Sequence, residues 1–197
     1  MNEMGDTIQI NVVEEAVNNK KKVLLFWYPK DFTYVCPTEL HAFQEALPKF
    51  EKRNTIVIGA SCDTAEVHFA WLNTPKDEGG IEGVTYNLLA DSNRNLSTIL
   101  GILDGDNHVY SDEYDTVIME GDNVPNRATY LIDENGIVQH EGVNNKPIGR
   151  NVGEFIRIVD ALAHNQKHGE VCPANWEEGS EAIIESNDSV AEYLSKK

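Results

Sequence analysis

The chain has 197 residues, enough for one domain with a sizeable core, and 41% hydrophobic residues together with 14 glycines place it in the globular range. Its 33 acidic and 16 basic residues leave a formal charge of −17, which repels phosphate backbones and anionic bilayers and argues against nucleic-acid and membrane partners. Apolar runs fall short of the roughly 20 residues of a membrane span, the start MNEMGDTIQINVVEE lacks the basic and apolar regions of a signal peptide, and a cytoplasmic protein is the expectation.

In chain order, the alternation of Ile8, Ile10 and Val12 predicts a half-buried edge strand, closed by a turn at Asn18-Asn19. Val23 to Tyr28 is an unbroken apolar and aromatic run, the mark of a central strand buried on both faces, and Pro29 ends it. Pro37 suits a first helical position, since its missing N–H would have no partner there. Leu40, Phe43, Leu47 and Phe50 then form one apolar stripe, with Glu39, His41, Gln44 and Glu45 mostly off it. Cys36 is therefore expected at a helix N-terminus.

Thr55 to Ala60 reads as a second buried strand, and the intervening helix gives a right-handed β-α-β unit if the two strands are parallel. Cys62 follows it, a small residue at a strand end. Asp63 or Thr64 caps a helix across AEVHFAWLNT that turns Phe69 and Leu72 inward and stops before Pro75 and Gly79-Gly80. Tyr86 to Ala90 predicts another short buried strand, and Asp91 or Ser92 caps a helix carrying Leu96, Ile99 and Leu100. Between 104 and 126 periodicity fails. Asp104, Asp106, Asp112, Glu113, Asp115, Glu120 and Asp122 mark an exposed acidic excursion with one short strand at Thr116 to Met119, and their spacing lacks the EF-hand pattern for calcium. Arg127 to Ile132 and Ile137 to His140 flank Asp133 to Gly136, whose Asn-Gly predicts an antiparallel hairpin. Val152, Phe155, Ile156, Val159 and Leu162 share a face of a long helix. A polar arm from Lys167 to Trp176 and an acidic tail, weakly helical near Val190 to Leu194, complete the chain. This order is that of an α/β protein, a mixed central sheet covered by helices, with a main domain over 1–165 and an arm over 166–197. Periodicity admits a thioredoxin-like fold and other three-layer α/β folds alike.

Cys36, Cys62 and Cys172 are too few and too scattered for a disulfide scaffold, and no C-x-x-C occurs. The six histidines complete no ligand motif with them, so neither a metal nor a cofactor is expected. A free thiol titrates near about 8.5 and only its thiolate attacks, so a reactive Cys36 needs help from the helix N-terminus and a nearby cation. Thr33 offers a hydroxyl to the sulfur or to a substrate oxygen. By itself, a single cysteine favours the other reading, in which Cys36 is a small buried core residue and Thr33 a loop hydroxyl.

The surrounding residues decide between these readings. Pro29, Thr33 and Cys36 spell P-x-x-x-T-x-x-C, and FWYPKDFTYVCPTEL resembles the active-site signature of the peroxiredoxins, above all the typical 2-Cys class that includes alkyl hydroperoxide reductase C subunits and thioredoxin peroxidases. The resemblance implies a thioredoxin-like fold and a thiol-dependent peroxidase for hydrogen peroxide and organic hydroperoxides, working without a cofactor. It further implies that Cys36 attacks the peroxide and becomes a sulfenic acid, that Pro29 shields it and that Thr33 hydrogen-bonds the substrate. RATYLIDENG resembles the family's R-[GA]-T-x-x-I-D-x-x-G, so Arg127 inherits the arginine that sits over the sulfur and polarises the peroxide; Glu39 matches the glutamate that orients it. Arg150, in PIGRNVGE, resembles a second arginine of that network, although on pattern alone a surface ion pair suits both arginines.

VCPANW resembles the resolving-cysteine motif V-C-P-A-x-W, which implies that Cys172 forms a disulfide with Cys36 of another subunit. A homodimer follows, with a decameric ring as the larger assembly, and thioredoxin or a flavoprotein disulfide reductase as electron donor. Three departures stand out: a short start, a longer acidic 104–126 stretch, and Gly-Gly-Ile-Glu at 79–82 with Tyr193-Leu194 where overoxidation-sensitive members have Gly-Gly-Leu-Gly and Tyr-Phe. A redox-regulated holdase without turnover and a thiol–disulfide oxidoreductase are the rival readings; the second is opposed by the missing C-x-x-C.

Overall fold

The structure is a computed structural model that describes residues 12–196. Ile8 and Ile10 of the expected edge strand lie outside the described residues, and Val12 instead opens a helix, α1 (Val12–Asn18). Val12, Val13 and Ala16 pack at helical spacing on the cluster of Val23, Ile58 and Ile132, which a strand's alternation could not do. The central strand follows as β1 (Lys22–Trp27), buried at every position but Leu25. Helix α2 (Cys36–Glu51) leads to β2 (Thr55–Ser61), which runs parallel to β1 in register from Lys22 opposite Thr55 to Trp27 opposite Ala60. Phe26 stacks on Phe43 of α2 at 4.1 Å between ring centroids, fixing the helix on this face of the sheet.

In α3 (Ala65–Leu72) Thr64 is the cap, its hydroxyl accepting from the Val67 N–H at 3.4 Å. The buried residues are His68 and Trp71, whereas Phe69, expected inside, is exposed. Polar bonds set this rotation: the Trp71 indole donates to the Gly79 carbonyl at 3.0 Å and His68 meets the Asp31 carboxylate at 2.7 Å. After a 3-10 turn at Lys76–Glu78 comes β3 (Asn87–Ala90), a half-buried edge strand rather than a buried one. Tyr86, just before it, is buried, and its hydroxyl donates to the Leu40 carbonyl. Asp91 accepts from the Leu96 and Ser97 amides at the start of α4 (Asn95–Ile99), although Arg94 occupies the cap position; Leu96, Ile99 and Leu100 are exposed.

The 104–126 region corrects the sequence reading most. In place of an excursion with one short strand, β4 (Leu103–Ser111) and β5 (Thr116–Pro125) form a two-stranded antiparallel sheet of their own. Its register shifts near Asp104, Asp106 and Val109, and such bulges break the period-two alternation by which a strand is recognised. Gly105 and Gly121 sit where the strands approach closely; a Cβ on Gly105 would lie 2.5 Å from the Glu120 carbonyl oxygen.

The expected hairpin is present as β6 (Arg127–Ile132) and β7 (Val138–Asn144), antiparallel to each other. Asp133 accepts from the Asn135 and Ile137 amides across the turn, and Gly136 takes the left-handed conformation there (φ +82°). The main sheet has the order β3-β2-β1-β6-β7, mixed as expected, with β6 antiparallel to β1.

The chain divides into two compact units, the first ending at Arg150 and the second beginning at Asn151. In the second, Phe155 and Val159 are the buried residues of α5 (Val152–His168), and Gly169 (φ +69°) ends the helix. Val171 bridges Ile183 in antiparallel fashion, and α6 (Asn187–Ser195) is capped by Ser186. Among the described residues no helix is long and apolar enough to cross a membrane.

Candidate active site

Beyond β1 the chain stays buried through Tyr28 and Pro29, then turns across 30–35 to enter α2 at Cys36. The turn is anchored from beneath. Tyr28 donates to one oxygen of buried Asp31 at 2.8 Å, His68 contacts the other at 2.7 Å, and the Asp31 amide donates to Asp63 at 2.9 Å. His68 and Asp31 escaped sequence reasoning because their link joins two elements 37 positions apart. Thr33 is half-buried, and its hydroxyl proton goes to the Lys30 carbonyl at 2.8 Å rather than to the sulfur, leaving its oxygen free to accept.

Cys36 is the first residue of α2, only 1% exposed, with Pro37 next; Val35 precedes it without a side-chain cap. The sulfur thus lies at a helix N-terminus, where the peptide dipoles favour negative charge. Arg127, first residue of β6, donates from Nη1 to Cys36 Sγ at 3.5 Å and to Glu39 Oε2 at 2.5 Å, and from Nε to the Lys146 carbonyl at 2.6 Å.

Glu39 was expected off the buried stripe of its helix, yet it is 3% exposed. Two arginines make that tolerable. Arg150 forks onto it, Nε to Oε1 and Nη2 to Oε2 at 2.9 Å each, and the Arg150 amide adds a third bond. Arg150 Nη1 reaches the Trp27 and Ala128 carbonyls, and its guanidinium lies over the Phe26 ring at 4.8 Å. Burial pulls the Arg150 guanidinium below the ordinary arginine value, and Glu39 opposes that shift. Two guanidiniums against one carboxylate leave one positive charge uncompensated in a buried place beside the Cys36 sulfur, a charge that a thiolate would balance.

Neither arginine is therefore the surface ion pair that pattern alone allowed. Glu39→Ala strips both of their common partner, and losing one member of a buried pair costs about 3–5 kcal/mol. The expected result is a urea midpoint lowered accordingly; an unchanged midpoint would show that the triad carries no such weight.

Cys62 is buried with its sulfur 3.4 Å from the Ser97 hydroxyl, and burial pushes its thiol up. Cys172 lies in the second unit, half-buried, with its sulfur donating to the Ala161 carbonyl at 3.6 Å. Burial pushes this thiol up too, with Arg157 opposing and Glu170 adding to the shift. All three cysteines are free. Among the described residues no cluster of three or more histidine, cysteine or carboxylate side chains is placed to hold a metal ion.

This geometry can be set beside known proteins. The AhpC/TSA family matches residues 3–141, and the C-terminal domain of 1-Cys peroxiredoxin matches residues 161–196. Alkyl hydroperoxide reductase C of Helicobacter pylori is 42% identical over 175 residues, covering 89% of this chain and 80% of that protein. Peroxiredoxin-2 of Bos taurus is 40% identical over 176 residues, covering 89% and 81%. The reduced 2-Cys peroxiredoxin of Plasmodium vivax superposes with a TM-score of 0.79 at 44% identity, covering 89% of this chain and 83% of that one.

Proposed function

The chain belongs to the AhpC/TSA family of peroxiredoxins and is a thiol-dependent peroxidase with a thioredoxin-like fold, and on that footing we propose that Cys36 is the sulfur that attacks the peroxide. The observation that carries this reading is the Arg127 guanidinium, shared between Cys36 Sγ and Glu39.

The Cys36 thiolate attacks the terminal oxygen of a hydroperoxide, the O–O bond breaks, and the leaving oxygen takes up a proton as water or an alcohol while the sulfur becomes a sulfenic acid. The Arg127 guanidinium stabilises the anion before attack and the charge growing on the leaving oxygen during it. Thr33, with its proton committed to Lys30, accepts from the peroxide O–H and orients it. Pro29, buried where β1 gives way to the loop, keeps bulk water off the sulfur. Glu39 and Arg150 hold Arg127 in place.

Cys172 of a second copy then displaces water from the sulfenic acid, giving an intersubunit disulfide that an external dithiol reduces to two thiols. This makes a homodimer the working unit, with a decameric ring as its larger assembly, and thioredoxin or a flavoprotein disulfide reductase as donor. A reducing compartment such as the cytoplasm would supply that dithiol.

The test is peroxide titration, followed by mass analysis of Cys36 and Cys172 and electrophoresis without reductant. Oxidised protein should run as a disulfide-linked dimer. Cys172→Ser should react once with peroxide and then fail to recycle through a dithiol. Because burial raises the Cys172 thiol, the disulfide-forming step of the parental protein should speed up about tenfold per pH unit to beyond pH ~8.5, where an ordinary thiol would level off. A monomeric oxidised band holding the same disulfide, or recycling by Cys172→Ser at the parental rate, would overturn the second half of this cycle.

A further inference from the structure

Lys146 links the hairpin of β4 and β5 to the reactive site. Lys146 Nζ bridges the carboxylates of Asp104 on β4 and Asp122 on β5. The main-chain carbonyl of Lys146 accepts from Arg127 Nε at 2.6 Å, and Nη1 of that guanidinium is the group 3.5 Å from the Cys36 sulfur. A guanidinium is planar, so once Nε and Nη1 are both directed its tilt over the sulfur is set. Glu39 directs one of them and Lys146 the other.

The turn that carries this carbonyl is also stitched to itself: the Ile148 amide donates to the Asn145 carbonyl, the Lys146 amide to the Asn145 side chain, and the Asn144 side chain to the Ile148 carbonyl. The ammonium carries the turn to the hairpin through Asp104 and Asp122. We propose that Lys146 is a positioning residue for peroxide attack, with the Asp104–Lys146–Asp122 bridge holding the turn whose carbonyl aims Arg127 at Cys36. The inference rests on the roles given above to Cys36 and Arg127.

Bonds to Asp104 and Asp122 push the Lys146 ammonium up, and its bond to Lys146 holds the Asp122 carboxyl down. The three side chains of the bridge are partly exposed, unlike the buried pair of Arg127 and Glu39. Exposed pairs contribute little to stability and are screened by salt, whereas buried ones are screened much less. Hydrogen peroxide is uncharged, so salt cannot act by steering it. Salt sensitivity of the first oxidation step therefore reports the bridge.

The experiment measures the second-order rate of Cys36 oxidation in the full-length protein by rapid quench and mass analysis, with hydrogen peroxide, at ionic strengths from about 0.01 M to about 1 M. The parental rate should fall several-fold across this range. Lys146→Met should start about tenfold slower at low salt, since a misaimed catalytic group costs up to ~10²-fold, and should be insensitive to salt. Asp104→Asn combined with Asp122→Asn should behave the same way, and Lys146→Arg should restore most of the rate and its salt dependence. Thermal melts of all variants should stay close to the parental one, which separates aiming from folding. Parental rates with parental salt dependence in Lys146→Met or in the double variant would overturn the inference, as would a slower rate that keeps the parental salt dependence. If the parental protein does not oxidise Cys36 at all, the peroxide reading falls first and this inference with it.

Discussion

Cys36→Ser is expected to leave no measurable peroxide turnover with a dithiol donor. The substitution keeps the size of the side chain at a position only 1% exposed, so the fold should persist while the nucleophile is lost. Glu39, the carboxylate that shares Arg127 with this position, is committed to Arg127 and Arg150 and is not free to act as a base for a serine hydroxyl, and Arg127 itself is a donor. The other two thiols cannot stand in. Cys62 is buried against Ser97, Cys172 is half-buried against Ala161, and burial pushes both away from the reactive thiolate form. Peroxide consumption followed optically, with a melting curve as control for folding, checks the claim. A Cys36→Ser protein that consumed peroxide at the parental rate would move the nucleophile elsewhere.

Local signals were legible where the chain's near neighbours in space are its neighbours in sequence. Val23 to Tyr28 announced a buried strand, Pro37 and the Leu40–Phe43 stripe announced the helix behind Cys36, and Asn135-Gly136 announced the hairpin; each is present. What stayed hidden was set by contacts and irregularities that no local period encodes. Glu39 lies off the apolar stripe and reads as a surface residue until Arg127 and Arg150, 88 and 111 positions away, converge on it. Trp71 and His68 turned α3 inward through bonds to Gly79 and Asp31 that no helical period encodes. The β4–β5 hairpin was masked twice, by bulges that break its alternation and by acids that read as solvated loop, two of which hold Lys146. The arginine and glutamate roles came from resemblance to a family pattern; their charge balance around the sulfur could be written down only from the distances.

That balance gives the sharpest expectation for Arg127→Ala. Removing this guanidinium takes away the donor 3.5 Å from Cys36 Sγ but leaves Glu39 held by both nitrogens of the Arg150 fork and by the Arg150 amide. The carboxylate therefore keeps a buried partner, and Arg127→Ala should destabilise the protein less than Glu39→Ala, which orphans two cations. Its effect falls on the chemistry. Without Arg127 the local charge drops from one uncompensated positive to neutral, the sulfur loses its nearest cation, and the leaving oxygen loses a preorganised donor. Loss of one such donor typically costs about 10²–10³ in rate, and sulfenic-acid formation should slow by at least ~10²-fold. Arg127→Lys should recover little of this, because an ammonium cannot reach Cys36, Glu39 and the Lys146 carbonyl at once as the planar fork does. Rapid-quench measurement of Cys36 oxidation at one pH, with urea midpoints alongside, separates the two effects. A rate unchanged in Arg127→Ala would remove this arginine from the mechanism, whereas a large slowing with a nearly parental midpoint is what a group acting on the transition state, rather than on the fold, must produce.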